Sequence, residues 1–204
     1  IDLGVGILVA TSDGKLVKSG RFLINEEARL KKAQQVVSRR HCGSKRKRRA
    51  VPRVGAIHRG IAKKRNDLLH KTSRALVDGY DLICHEELKT SKMTRRPKPR
   101  RDAKGGYEKN GARAKSGLNK SINDSGWSTL LAMIAYKAED AGRQVIAVDP
   151  RNTSRRCAKC GYVDKHNRRG VRFCCLSCGH EAHADLNAAV NILRAGRARQ
   201  LRAA

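Results

Sequence analysis

The sequence predicts a mixed α/β fold. Short apolar runs suited to buried strands alternate with longer segments whose apolar residues recur at helical spacing, and two CxxC pairs near the C-terminus mark a small separate unit. With 204 residues there is room for one sizeable core and such an appendage.

From Leu3 to Ala10 the residues are small and apolar, Ser12-Asp13-Gly14-Lys15 supplies turn chemistry, and Leu16 to Ile24 resumes an extended pattern. This region reads as an antiparallel hairpin. Glu26 to Gln35 reads as helix. Arg39 to Arg53 can bury little, so Lys45, Arg46, Lys47, Arg48 and Arg49 are expected on an exposed face suited to a phosphate backbone; the plainer alternative is a solvated loop. Ile57, Ile61, Leu68, Leu69 and Leu76 then recur through a second basic helix, which meets a strand at Tyr80 to His85 with Glu86 at its end.

Thr94 to Asn119 is rich in Arg, Lys, Gly and Pro with almost nothing apolar, and reads as a flexible basic insertion. Order returns at Trp127. Leu130, Leu131, Ile134, Ala135 and Ala138 form a helical stripe that ends near Gly142, and Val145 to Val148 makes another buried strand. From Asp185, a last helix places Leu186, Ala189, Val190 and Leu193 on one face before an Arg-rich tail.

Lys and Arg number 46 against 18 Asp and Glu, a formal charge of +28, which calls for an anionic partner. A membrane is a poor candidate, because no apolar run approaches the roughly 18 residues of a spanning helix and the basic stretches lack an interfacial aromatic face. Nucleic acid fits better. The seven cysteines in so basic a chain read as metal ligands in a reducing compartment, which places the protein in the cytoplasm. No signal peptide is visible, and a chain opening on Ile1 rather than Met is expected to continue upstream.

A CxxC on a tight turn can deliver two thiolates to one ion, and two such turns complete a tetrahedron. CAKC (157–160) and CLSC (175–178) are separated by 14 residues, and Gly161 and Gly179 follow them. Cys157, Cys160, Cys175 and Cys178 are therefore expected to hold one structural zinc ion. Cys174 has the wrong spacing and reads as a bystander, and His166, His180 and His183 are not needed for a closed site. Such a site leaves no open position for chemistry.

Acids beside buried strands are conspicuous in this chain, because burying them costs desolvation unless a cation neutralises them. Asp2 opens the first strand, Glu86 closes the strand after the second basic helix, and Asp185 opens the last helix. Converging carboxylates of this kind could hold two divalent ions about 3.5–4 Å apart and cleave a phosphodiester. Eighteen acids offer many other triples, however, and Asp185 alone could be a helix N-terminal acid.

The segments IDLGV (1–5), YDLICHEELKTSKM (80–93), AKSGLNKSINDSGW (114–127), AVDPRNTSRRCAKCG (147–161) and FCCLSCGHEAHADLNAAVNIL (173–193) together resemble the TnpB family, the OrfB proteins of insertion sequences, related to type V CRISPR effector nucleases. The resemblance covers nearly the whole chain in consistent order. It implies an RNase H-like, RuvC-type nuclease core over 1–150 with the insertion at 94–119, a zinc ribbon over 151–182, and a final RuvC-like helix and basic tail over 183–204. It implies a transposon-associated, RNA-guided DNA endonuclease of bacteria or archaea, with Asp2, Glu86 and Asp185 catalytic and binding magnesium, DNA as substrate and guide RNA as partner. Glu87 rivals Glu86, since the family commonly has Glu-Asp where this chain has Glu-Glu. Asn187 matches a family asparagine, which either orients the last carboxylate or caps the helix start. Thr153 and Ser154 also match, and Arg151, Arg155 and Arg156 around them either contact phosphates or stay solvated. The barrel and helical domains that precede IDLG in the family are absent, so the chain resembles the nuclease half of a longer protein. A reading from another class is a non-catalytic zinc-ribbon fragment that binds nucleic acid through charge.

Overall fold

The computed structural model describes residues 1–203. Strands β1 (Asp2–Leu3), β2 (Ile7–Ala10) and β3 (Leu16–Lys18) form an antiparallel sheet in which Leu3 faces Val9 and Val9 faces Val17. The run from Leu3 to Ala10 is thus two strands and not one, because the chain reverses at Gly4-Val5-Gly6. A side chain at Gly4 would come within 2.7 Å of the Ile7 carbonyl oxygen, so this reversal requires glycine.

The expected extension to Ile24 stops at Lys18, and α1 (Phe22–Ser38) begins instead. Its start has no local cap. Arg21 lies in the left-handed region at φ 43°, and the backbone N–H of Leu23 donates to Asp124 Oδ2 at 2.9 Å, 101 residues away. The same buried carboxylate takes Arg65 Nη2 at 2.6 Å, fastening three segments to one side chain.

Helix α2 (Lys45–Gly79) swallows the basic stretch that the sequence reading left without helical structure. Like charges and Pro52 argue against helix there, but Ser44 accepts a hydrogen bond from the Lys47 N–H and the turns continue into the amphipathic part. Lys45, Arg46, Arg48 and Arg49 remain exposed. The first half of α2 packs on α1 through Leu30, Ile57 and Ile61, while its second half, with Leu69, Leu76 and Val77, packs into the main core.

Strands β4 (Leu82–Glu86) and β5 (Gln144–Val148) pair in parallel, Glu86 opposite Val148. The backbone nitrogen of Ile1 donates to the Cys84 carbonyl at 2.6 Å and draws β1 alongside β4. After the short α3 (Thr90–Met93), residues 94–111 carry only an isolated bridge between Arg101 and Tyr107. The insertion read over 94–119 is too long by its last part, where α4 (Ala112–Ser125) has begun. That helix is polar in sequence, and its burial depends on Ile122 and Asp124 beyond the segment's end. Gly126, at φ 69°, joins it to α5 (Trp127–Asp140).

Helices α2 and α5 cover one face of the strands, with Leu8, Ile83, Trp127, Leu130 and Ile134 between them. The last helix, α6 (Ala184–Ala203), covers the other face through Cys84, Val148 and Ile192. Its buried face is rotated from the expected one: Asn187, Ala188, Ala189, Asn191 and Ile192 are buried, whereas Leu186, Val190 and Leu193 are half-buried. The rotation follows from polar contacts made by the two asparagines. The remaining strands, β6 (Arg168–Arg169), β7 (Arg172–Cys174) and β8 (Glu181–His183), form a small antiparallel sheet ahead of α6.

At Gly196 helix α6 lies close against the strands. A Cβ there would lie 2.1 Å from Cys84 Sγ and 2.8 Å from Cys84 Cβ. Gly196→Ala should therefore destabilise the chain by about 1–3 kcal/mol from overpacking, less the gain of up to about 1 kcal/mol in helix propensity. Cys84→Ala in the same chain should return part of the loss. Denaturant midpoints arranged as a double-mutant cycle measure this, and equal losses with and without the sulfur would refute the contact.

Candidate acidic and cysteine sites

The ends of β1, β4 and α6 bring Asp2, Glu86 and Asp185 to one place. Their proximity shows in the proton affinity of Asp2. Asp2 is pushed up to about 7, first by burial and then by the charges of Glu86 and Asp185, with Arg168 pulling the other way. Burial raises Glu86 as well, opposed by a hydrogen bond from the Thr153 hydroxyl. Asp185, with only 13% of its side chain exposed, receives Arg168 Nη2 at 2.7 Å. Glu87 points away from this group; its side chain is 62% exposed and lies 3.5 Å from Lys89.

Beside Asp185 opens a cleft of about 630 Å³ between the glycine turn of the first sheet and β6. Lys18, Arg21 and Arg168 line it together with His183, so its walls are cationic around an acidic end. His183 is committed locally, its Nδ1 accepting from the Asp185 N–H at 3.3 Å.

Cys157, Cys160, Cys175 and Cys178 come together from two matching turns. In each turn the first cysteine accepts at its carbonyl from the following glycine, Gly161 at 2.9 Å and Gly179 at 3.0 Å, and both glycines have positive φ. The four sulfurs lie within 4.8 Å of one another, with Cys157 to Cys178 at 3.7 Å and Cys160 to Cys175 at 3.6 Å. They are close enough to hold a metal ion. Burial resists ionisation of Cys175, yet N–H groups of Cys178 and Ser177 and the neighbouring thiols bring it down to about 7, as expected of thiols sharing few protons. Among the described residues this is the single group of three or more Cys, His, Asp or Glu drawn so tight; the three acids stand further apart. Cys174 and the three histidines lie outside the cluster.

Asn167, which the sequence reading passed over, fastens the two turns together. Its amide donates to the Arg155 carbonyl at 3.0 Å, and its oxygen accepts from the Leu176 N–H at 3.0 Å. Asn187 neither orients Asp185 nor caps α6. Its Nδ2 donates to the Arg156 carbonyl at 2.8 Å and its Oδ1 accepts from the Ala158 N–H at 2.9 Å, because the side chain faces the first cysteine turn. Asn191, one turn on, donates to the carbonyls of Thr153 at 2.9 Å and Arg156 at 2.7 Å. Its repeat at i+4 from Asn187 was the available signal; Arg168 had none. Arg151, Arg155 and Arg156 are exposed, Ser154 is half-buried beside Thr153, and the Lys45 to Arg49 cluster sits on the far end of α2.

Residues 1–97 match the OrfB family of IS605-type elements, described as "Probable transposase", and residues 127–192 match the "Cas12f1-like, TNB domain". InsQ of Escherichia coli K12, named as a candidate RNA-guided DNA endonuclease, is 38% identical over 97% of this chain and 48% of its own length. A Streptomyces pristinaespiralis protein of the same designation is 33% identical over 96% of this chain and 44% of its own length. Over 60 residues, 29% of this chain and 14% of the relative, identity to the CRISPR-associated endodeoxyribonuclease Cas12f1 of Sulfoacidibacillus thermotolerans reaches 57%. This chain thus spans about half the length of the curated full-span relatives it matches. In fold it resembles Cas12f1 in a complex with single-guide RNA and target DNA, at TM-score 0.60 and 17% identity over 94% of this chain and 48% of the other. No helix among the described residues is long and apolar enough to cross a membrane.

The raised Asp2 has a measurable consequence. Folded, it keeps its proton to about pH 7, whereas the unfolded chain releases it near 3.8. Between those values the native state binds more protons, so stability falls as pH rises and levels off above about 7. Melting temperatures in chelator from pH 4 to 8 should show this slope, and Asp2→Asn should flatten it. Parallel curves for the two proteins would show that the proton affinity of Asp2 is not raised in the fold.

Proposed function

The chain belongs to the TnpB/OrfB family of insertion-sequence proteins, and from that premise we propose that it is the nuclease part of a transposon-associated, RNA-guided DNA endonuclease. The observation that carries the reading is the convergence of Asp2, Glu86 and Asp185, where burial first, and then the charges of the other two acids, push Asp2 up to about 7. In this reading β1 to β5 with α2, α5 and α6 form an RNase H-like, RuvC-type core, and residues 151–182 form a zinc ribbon inserted before its last helix.

The acidic group suits divalent cations. Three carboxylates repel one another in a partly buried place, and the guanidinium of Arg168 already stands against Asp185 as a cation. Asp2, Glu86 and Asp185 would hold magnesium. When bound, two such ions supply an activated water and stabilise the leaving oxygen of a phosphodiester. The chain's own contribution is positional: β1 and β4 present two carboxylates side by side, α6 presents the third, and Lys18 and Arg21 line the cleft that leads a strand of DNA to them. Arg168, paired with Asp185 and lining the cleft, would be placed to meet a phosphate beside the held cations.

The cysteine cluster suits zinc. Zinc–sulfur bonds of about 2.3 Å in a tetrahedron place sulfurs roughly 3.8 Å apart, and the separations of 3.6 and 3.7 Å match that edge. Lys45, Arg46, Lys47, Arg48 and Arg49, with Arg151, Arg155 and Arg156, are the proposed contacts to the phosphates of DNA and guide RNA. Against this stands a module that binds nucleic acid by charge alone, a reading favoured by the formal charge of +28.

Protein made from the complete reading frame, with its co-purifying RNA, should cleave DNA in magnesium. Asp185→Ala should abolish cleavage and leave binding intact; undiminished cleavage would sink the nuclease reading. Metal analysis should find about one zinc per chain, lost on Cys157→Ser. Affinity for DNA should fall steeply with salt as counterions are released, whereas a flat response would remove the phosphate contacts.

A further inference from the structure

We propose that Thr153 is a positioning residue for Glu86, and that Asn191 holds Thr153 in place, so that the cysteine lobe and the acidic site form one mechanical unit. The inference rests on the acidic site being a divalent-metal centre.

Glu86 is the last residue of β4, so the strand fixes its backbone but not the direction of its carboxylate. Its carboxylate has one side-chain hydrogen-bond partner among the described residues, the hydroxyl of Thr153. That threonine is 6% exposed, and its hydroxyl also stands 3.0 Å from the Pro150 carbonyl oxygen. A hydroxyl has one proton, and an ionised carboxylate is the stronger acceptor, so the donation goes to Glu86.

Thr153 belongs to neither strand nor helix, and its segment contains a left-handed residue, Asn152 at φ 62°. The segment needs an outside support, which α6 provides. Asn191 spans the carbonyls of Thr153 and Arg156, and Asn187 holds Arg156 and Ala158 from one turn earlier. Both asparagines are at least 95% buried. Asn191 leaves its own Oδ1 without a partner, an expense that a leucine of similar size would avoid. Its two N–H groups are what the site uses.

Two acids are thereby referred to one rigid element. Asp185 is on α6 itself, and Glu86 is reached from α6 through Asn191 and Thr153. Cys157 and Cys160 follow directly, so the four-thiol cluster holds the far end of the same segment. A carboxylate aimed by a second group binds metal more tightly than a free one, and loss of such a partner weakens affinity about tenfold or more.

The test uses protein from the complete reading frame, with Mn²⁺ alone as the probe for the acidic site, read by its paramagnetic resonance signal. Thr153→Val keeps the volume and removes the hydroxyl. It should weaken Mn²⁺ binding about tenfold, shift the metal dependence of DNA cleavage by the same factor, and leave one zinc per chain. Thr153→Ser should restore both readings. If the valine variant fails to fold, alanine against serine at this position makes the same comparison. Wild-type protein that neither binds Mn²⁺ nor cuts DNA would defeat the nuclease reading. Wild-type protein that does both, beside a valine or alanine variant of equal Mn²⁺ affinity, would defeat the role of Thr153. A lowered melting temperature with unchanged affinity would likewise reduce Thr153 to packing.

Discussion

The arrangement depends on how closely α6 lies against β4 and β5. At Gly196 there is no room for even a methyl group over Cys84, Ile192 continues the contact with Cys84 and Val148, and Ala188 and Ala189 are fully buried nearer the helix start. Asp185 sits in the first turn of that helix, and the depth of the contact sets where its carboxylate stands relative to Glu86. Small residues on a helix face are ordinarily a modest loss of apolar burial; here they fix a distance between charges.

That closeness concentrates negative charge in a chain whose formal charge is +28. The long-range field favours anionic ligands, while the acidic end of the cleft repels the phosphates it would act on unless cations are present. Arg168 eases this locally. It comes from the cysteine lobe, not the core, so the two parts meet at the ion pair with Asp185 as well as through the asparagines of α6.

Much of this was legible in the sequence where local pattern and tertiary environment agree. The buried runs of β4 and β5, the stripe of α5 and the paired CxxC turns announce themselves through periodicity, spacing or turn chemistry, whereas the three acids stood out from eighteen only through the resemblance. What was not legible is set by partners distant in sequence. Leu16 to Ile24 reads as one extended run, but helix begins at Phe22, where the carboxylate of Asp124 accepts the Leu23 N–H from another helix. Residues 45–53 look too charged for helix, yet they extend a helix whose later turns are buried. Asn187 looked like a cap or an orienting group, and only the fold puts the first cysteine turn against it.

Helix α2 runs 35 residues without a break, about 50 Å, yet its two halves rest on different foundations. The second half lies in the main core beside α5; the first is held by α1 through a small cluster around Leu30, Ile57 and Ile61. Opening of the α1–α2 hairpin therefore needs far less free energy than opening of the core. Amide hydrogens of this one continuous helix are expected to fall into two exchange classes, the faster in the half that rests on α1. The arm that carries Lys45 to Arg49 is thus free to yield, while the sheet that carries the acids stays closed.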